Sequence, residues 1–193
     1  MQLTDRFSDA LTYAERLHRC QTRKGNDIPY VAHLLAVAAT VLEWGADEDV
    51  AIAALLHDAV EDQGGMRTAD EVRAKFGDRV AGIVLACTDS LAEDPAQKAP
   101  WEERKRHHIA KLAAVDANVA LVTAADKLHN LTALIRDVSR DGPRTLERFN
   151  APNRLVWYFT AVAEALAAHE DIAPVAEIRM AAAALNALCQ SAD

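Results

Sequence analysis

The stretch Ala53-Ala54-Leu55-Leu56-His57-Asp58-Ala59-Val60-Glu61-Asp62 is an apolar helix that abruptly gains four ionisable side chains in its last six positions. At helical spacing His57 and Glu61 stand i,i+4, as do Asp58 and Asp62, so the four share one compact polar surface. Burying His, Asp and Glu beside Leu55, Leu56 and Val60 is costly unless something offsets the charge. A bound cation is one such partner, and the stretch reads first as a candidate metal site.

On its N-terminal side, Val31 to Trp44 is almost wholly apolar apart from His33, Thr40 and Glu43, the pattern of a central, buried helix. Gly45 ends that helix, and Asp47 caps the one that carries the opening stretch. Phe7, Ala10, Leu11, Ala14 and Leu17 recur at three- and four-residue intervals and predict a first helix from Leu3 to Cys20. Gln21 to Pro29 is polar, contains Gly25, and reads as a loop.

On the C-terminal side, Gly64-Gly65 closes the helix, and Thr68 with Glu71 fits a capping box for a short helix ending near Gly77. Asp78 to Cys87 is a further apolar helix. Asp89 to Pro100 turns polar and predicts a loop over the surface. Trp101 to Ala114 is a basic amphipathic helix, and Val115 to Arg140 a second long core helix, broken by Gly142-Pro143. Helices over Pro152 to His169 and Pro174 to Gln190 follow. Neither an alternating strand pattern nor an internal repeat or linker is present. The expectation is one all-α domain over residues 1–193, with loops 21–29, 63–67 and 89–100 at the mouth of a site.

Composition narrows the function. A chain of 193 residues is long enough for one sizeable core. Its formal net charge of −8 argues against nucleic-acid binding, which needs a basic footprint. A small anionic ligand is still allowed, because local charge governs that contact. No apolar run reaches the roughly 18 residues of a membrane span, and Met1 to Asp5 lacks the basic and apolar parts of a signal peptide. Cys20, Cys87 and Cys189 match neither a disulfide framework nor a zinc-finger spacing. A cytoplasmic protein with reduced thiols and no membrane partner is expected.

Four positions can carry metal chemistry: His33, His57, Asp58 and Asp126. His33 interrupts one apolar helix and Asp126 another, within Leu121 to Ala125. Each has a structural alternative: a buried His bonded to a carbonyl, or an Asp paired with the adjacent Lys127. The dipeptide His57-Asp58 is commonplace in a chain with seven histidines. Taken together, three apolar helices supply two imidazoles and two carboxylates, a set suited to Mn²⁺, Fe²⁺ or Zn²⁺. Glu61 and Asp62, one turn on, can orient or deprotonate a water, or simply be a solvated helix end. Asn130 shares a face with Asp126 and can hold a ribose hydroxyl or a phosphate. Arg23-Lys24 offers a charged clamp for a base and a phosphate. Arg154 and Tyr158 stand i,i+4 on a late helix, where core packing is the alternative. The other five histidines, His18, His107, His108, His129 and His169, are left structural.

These residues match a known order. His33, His57-Asp58 and Asp126 follow the H…HD…D pattern of the HD-domain metal-dependent phosphohydrolases. Tyr13 to His18, Gln21-Thr22-Arg23-Lys24, Ile28-Pro29-Tyr30-Val31-Ala32-His33, Ala53 to Asp62 and Ala124 to Leu131 resemble the hydrolase domain of RelA/SpoT-type alarmone enzymes. The chain resembles a stand-alone small alarmone hydrolase. That resemblance implies an all-α HD fold holding one Mn²⁺, or another divalent ion, through His33, His57, Asp58 and Asp126. It implies removal of pyrophosphate from the 3′ position of (p)ppGpp or a (p)ppApp-type nucleotide, leaving GDP or GTP or the adenosine equivalent. Glu61 and Asp62 match the pair that handles the attacking water. Arg23, Lys24, Asn130, Arg154 and Tyr158 match the residues around base, ribose and phosphates. Two departures touch recognition: loop 23–33 is one residue longer than the common pattern, and Leu131-Thr132 stands where Met-Arg is frequent. Another HD phosphohydrolase, such as an NADPH 2′-phosphatase or nucleotidase, and a non-catalytic nucleotide sensor are the competing readings.

Overall fold

A computed structural model describes residues 2–91, 99–169, 171 and 174–190. The chain divides into two compact units, residues 1–99 and 100–193. Among the described residues the regular structure is helical, with a single isolated bridge between Thr22 and Pro29. No described helix is long and apolar enough to cross a membrane.

The first unit holds α1 (Asp5–Leu17), α2 (Val31–Glu43), α3 (Glu48–Leu56), α4 (Ala59–Asp62), α5 (Gly65–Phe76) and α6 (Asp78–Cys87). Thr4 caps α1, its side chain accepting from the Arg6 N–H at 3.3 Å, so the helix starts two residues later than its apolar periodicity suggests. Asp47 caps α3 as expected, accepting from the Val50 N–H at 3.1 Å. Every residue from Val50 to Leu56 is buried. Helix α3 is therefore apolar all round and is wrapped by α1, α2 and α6. Burial of Ile52, Leu55 and Leu56 contributes about 1.5–3 kcal/mol each.

The opening stretch is not one helix. Regular α structure stops at Leu56, and α4 begins at Ala59. The cause is a side chain: His57 Nδ1 bonds to the carbonyl oxygen of Ala54 at 2.8 Å, the acceptor that the Asp58 N–H would use in a continued helix. The ladder resumes with Asp62 N–H to Asp58 carbonyl at 3.0 Å. His57 and Asp58 therefore occupy a step between two helices.

The capping box at Thr68 and the loop at 63–67 are also corrected. Gly64 takes φ +110°, open to glycine at little cost, and lets α5 start at Gly65. Thr68 lies inside α5, and its hydroxyl donates back to the Gln63 carbonyl. The expected loop over 89–100 falls largely on residues 92–98, which lie outside the described residues.

The second unit holds α7 (Trp101–Leu112), α8 (Ala117–Asp141), α9 (Leu155–Ala165) and α10 (Val175–Gln190), with short 3₁₀ turns at Pro143–Arg148, Pro152–Arg154 and Leu166–His169. Asp116 caps α8 by accepting from the Asn118 N–H at 2.8 Å, which sets its start. Helix α10 packs against α8 and α9, and α7 against α9. The C-terminal helix is thus part of this unit's core, burying Val175, Ile178, Ala182 and Leu185.

Candidate active site

Three expected ligands meet in the first unit. His33 stands on α2, while His57 and Asp58 fill the step between α3 and α4. One donor atom from each lies within 4.8 Å of the other two. Both imidazole Nε2 atoms face the same oxygen, Asp58 Oδ2, at 3.0 Å from His57 and 3.6 Å from His33. The two rings meet edge to face at 5.1 Å.

The bond to the Ala54 carbonyl decides the state of His57. A carbonyl only accepts, so Nδ1 carries a hydrogen, and in the neutral ring Nε2 is then the atom that turns a lone pair to Asp58. A lone pair and a carboxylate at 3.0 Å repel unless a cation lies between them. Protons can do this. Burial acts to raise the Asp58 carboxyl, but the adjacent His57 and His33 outweigh it and hold the group well below the usual carboxylate range. Two imidazole nitrogens and a carboxylate oxygen converging in this way also suit a borderline divalent ion.

Glu61 and Asp62 follow on α4. Glu61 Oε2 accepts from the Asp89 N–H at 3.2 Å, and Asp62 Oδ2 accepts from Gln21 Nε2 at 2.8 Å. Gln21 was not expected here. A carboxylate cannot donate, so the Gln21 amide is fixed, with Oε1 turned to His18 Nδ1 at 2.7 Å and to Gln63 Nε2 at 2.7 Å. Burial lowers the His18 pKa, and the ring stacks on Tyr30 at 5.2 Å. Tyr30 in turn donates its hydroxyl to Asp58 Oδ2 at 2.6 Å. Sequence reasoning left His18 structural and gave Gln21 and Tyr30 no role. Their only signal was position, inside the runs around Arg23 and His33.

Loop 21–29 is short and closed on itself. The Arg23 N–H bonds to the Ile28 carbonyl at 2.8 Å, and Asn26 Oδ1 accepts from the Ile28 N–H at 3.1 Å. The Arg23 guanidinium lies 5.7 Å from the centre of the Tyr30 ring, and Lys24 is exposed near the tip.

The remaining expected residues belong to the second unit. Asp126 is buried on α8, where Lys127 and Asn130 both donate to its carboxylate. The structural alternative for Asp126, pairing with Lys127, is therefore present. Tyr158 is buried on α9, with Lys105 Nζ 5.2 Å and Lys127 Nζ 5.9 Å from its ring centre. Arg154 donates to Glu102 at 2.7 Å and lies over Trp157 at 4.8 Å. Lys127 thus also reaches the surroundings of Tyr158, a link the sequence pattern did not reveal.

A family model described as HD domain matches residues 10–150. The chain belongs to the HD-domain family. Among HD-domain proteins, it is 35% identical over 156 residues to the Drosophila melanogaster protein named guanosine-3′,5′-bis(diphosphate) 3′-pyrophosphohydrolase MESH1, covering 79% of this chain and 80% of that one. It is 36% identical over 126 residues to a rice chloroplast protein named probable GTP diphosphokinase RSH2, covering 63% of this chain. There the chain spans only 17% of the longer relative. The HD fold is matched by a solved structure described as a metazoan ortholog of SpoT that hydrolyzes ppGpp, with TM-score 0.74 and 29% identity. That match covers 99% of this chain and 97% of the other.

Proposed function

We propose that this HD-domain protein is a metal-dependent alarmone hydrolase, removing the 3′-pyrophosphate from (p)ppGpp or a related (p)ppApp-type nucleotide. The observation that carries the reading is the convergence of His33 and His57 Nε2 on Asp58 Oδ2, with the His57 tautomer set by the Ala54 carbonyl. In support, a relative of similar length, aligned over 80% of its chain, bears the name of that activity.

In this reading His33, His57 and Asp58 hold a divalent ion, Mn²⁺ first among the candidates, and Asp126 joins them as the sequence pattern implies. Such an ion supplies Lewis acidity toward a phosphoryl oxygen. The chain does the rest. Glu61 and Asp62 orient the attacking water and take up its proton. A new P–O bond forms at the phosphorus attached to the ribose 3′ oxygen, the old bond breaks, and that oxygen leaves with a proton as the hydroxyl. Arg23 stacks on the base, Lys24 meets phosphate, and Asn130 binds the ribose. Arg154 and Tyr158 face the phosphates. These cations offset the substrate's charge locally in a chain of net charge −8. The setting is cytoplasmic, with a small nucleotide as partner and neither nucleic acid nor membrane.

The test is incubation of purified protein with Mn²⁺ and ppGpp, pppGpp or ppApp, reading released pyrophosphate. Release from at least one is expected. A protein that binds the ion and releases none overturns the reading, while orthophosphate from NADPH would redirect it to a phosphatase.

A further inference from the structure

Tyr30 is the residue in which the substrate loop, the first metal helix and the carboxylate meet. It immediately precedes α2, with its N–H bonded to the Gln21 carbonyl at 2.9 Å and its own carbonyl accepting from the His33 N–H at 2.9 Å. The backbone is thereby tied to both ends of what it connects. The ring is held as firmly. His18 stacks on it at 5.2 Å with an interplanar angle of 20°, His33 meets it edge-on at 5.5 Å, and the Arg23 guanidinium lies 5.7 Å from its centre. A ring fixed on three sides delivers its hydroxyl to one place. That place is Asp58 Oδ2, at 2.6 Å, the same oxygen that both imidazole Nε2 atoms face.

We propose that Tyr30 is a positioning residue for the metal-binding carboxylate, and that through its ring it ties the Arg23 loop to that carboxylate. The proposal rests on the metal reading above. The physical reason is rotational. Asp58 sits in the step between helices, its side chain 25% exposed while the two histidines are buried, and a carboxylate there can turn about its χ2 torsion. A donor on Oδ2 removes that freedom and leaves the oxygen's remaining lone pair directed at the imidazoles. Groups that orient a ligating carboxylate in this way are worth about 10–100-fold in metal affinity.

Titration of the full chain with Mn²⁺ by calorimetry tests this without reference to turnover. Tyr30→Phe, which keeps the ring and removes the donor, is expected to weaken Mn²⁺ binding about ten-fold. Its KM should stay near wild type at saturating metal, since the platform under Arg23 is intact. Tyr30→Leu removes the ring as well and is expected to raise KM. Incorporation of 3-fluorotyrosine at position 30 keeps a donor and should restore wild-type affinity. If the phenylalanine variant is poorly folded, 4-fluorophenylalanine at position 30, which fills the same space without a donor, is expected to show the same loss of about ten-fold. Mn²⁺ binding by Tyr30→Phe as tight as wild type, or tighter, overturns the proposal while leaving the metal reading intact. Failure of wild type to bind Mn²⁺ overturns both.

Discussion

The side-chain amide of Gln21 donates to Asp62 at 2.8 Å, linking the start of loop 21–29 to a carboxylate proposed to handle water. The other end of that amide is held by His18 and Gln63, so the Asp62 oxygen has a fixed donor. Replacing Gln21 by Leu removes that donor from Asp62. A fall in kcat of about ten-fold or more is expected, in the range of general-base contributions, with KM changed less than two-fold. Steady-state kinetics on ppGpp check it, and a change confined to KM would remove Gln21 from this role.

Divalent metal should act on the fold as well as on turnover. An ion that binds only the native state at a hundredfold excess over its Kd adds about 2.7 kcal/mol of stability. For a chain of this size that is a rise in Tm of roughly 5–10 °C. Thermal unfolding with Mn²⁺ and with EDTA should show the difference, and Asp58→Ala should abolish both the rise and the activity.

Arg23→Ala is expected to act on binding alone. The guanidinium lies over the Tyr30 ring, 5.7 Å from its centre. A several-fold increase in KM with kcat preserved is the expected pattern. An unchanged KM would count against the stacking role.

Asp47 joins two stabilising roles, capping α3 and forming paired bonds with Arg79 at 2.8 and 2.9 Å. Asp47→Ala should cost about 1 kcal/mol for the cap and up to about 1 kcal/mol more for a half-exposed ion pair. The Arg79 guanidinium lowers the Asp47 carboxyl below its ordinary value, against a smaller opposing effect of burial. A group lowered on folding stabilises the native state above its unfolded pKa, near 4, and loses that effect as pH falls through the folded value. The stability gap between wild type and Asp47→Ala, measured by denaturant unfolding, should therefore be full at pH 6 and shrink below pH 4.

Gly64→Ala probes the junction after α4. The glycine has φ +110°, and an added Cβ would meet Thr68 Oγ1 at 2.9 Å. Left-handed backbone costs an L-residue about 1–2 kcal/mol, so a lower Tm is expected, with the crowded Thr68 hydroxyl adding to it.

How legible these features were depends on the kind of interaction. His33, His57 and Asp58 stand out in one dimension, because an ionisable residue inside an apolar run signals an unpaid desolvation cost wherever it occurs. Helix α6 was readable over its full length from apolar content bounded by Gly77 and Thr88. The step at His57 was not, since it depends on a ring competing for a particular carbonyl, and composition carries no trace of that. Gln21 and Tyr30 were equally silent, because neither carries a charge whose burial would call attention to it. Thr68 misled for a related reason: a capping box needs its hydroxyl to accept from a backbone N–H, whereas beside Gly64 at φ +110° it donates to the Gln63 carbonyl.

The step between α3 and α4 also sets which changes of length the protein can absorb. Neighbours in an unbroken helix point about 100° apart, yet His57 and Asp58 reach one point because the helix stops between Leu56 and Ala59. One residue added or deleted within α3 would rotate the pair out of register with His33 and bury a different face of a helix that has no exposed side. Loop 21–29 is under no such constraint, closing on itself by local bonds before it hands the chain to Tyr30. Indels can accumulate in that loop, while the step at His57 and Asp58 tolerates substitution at most.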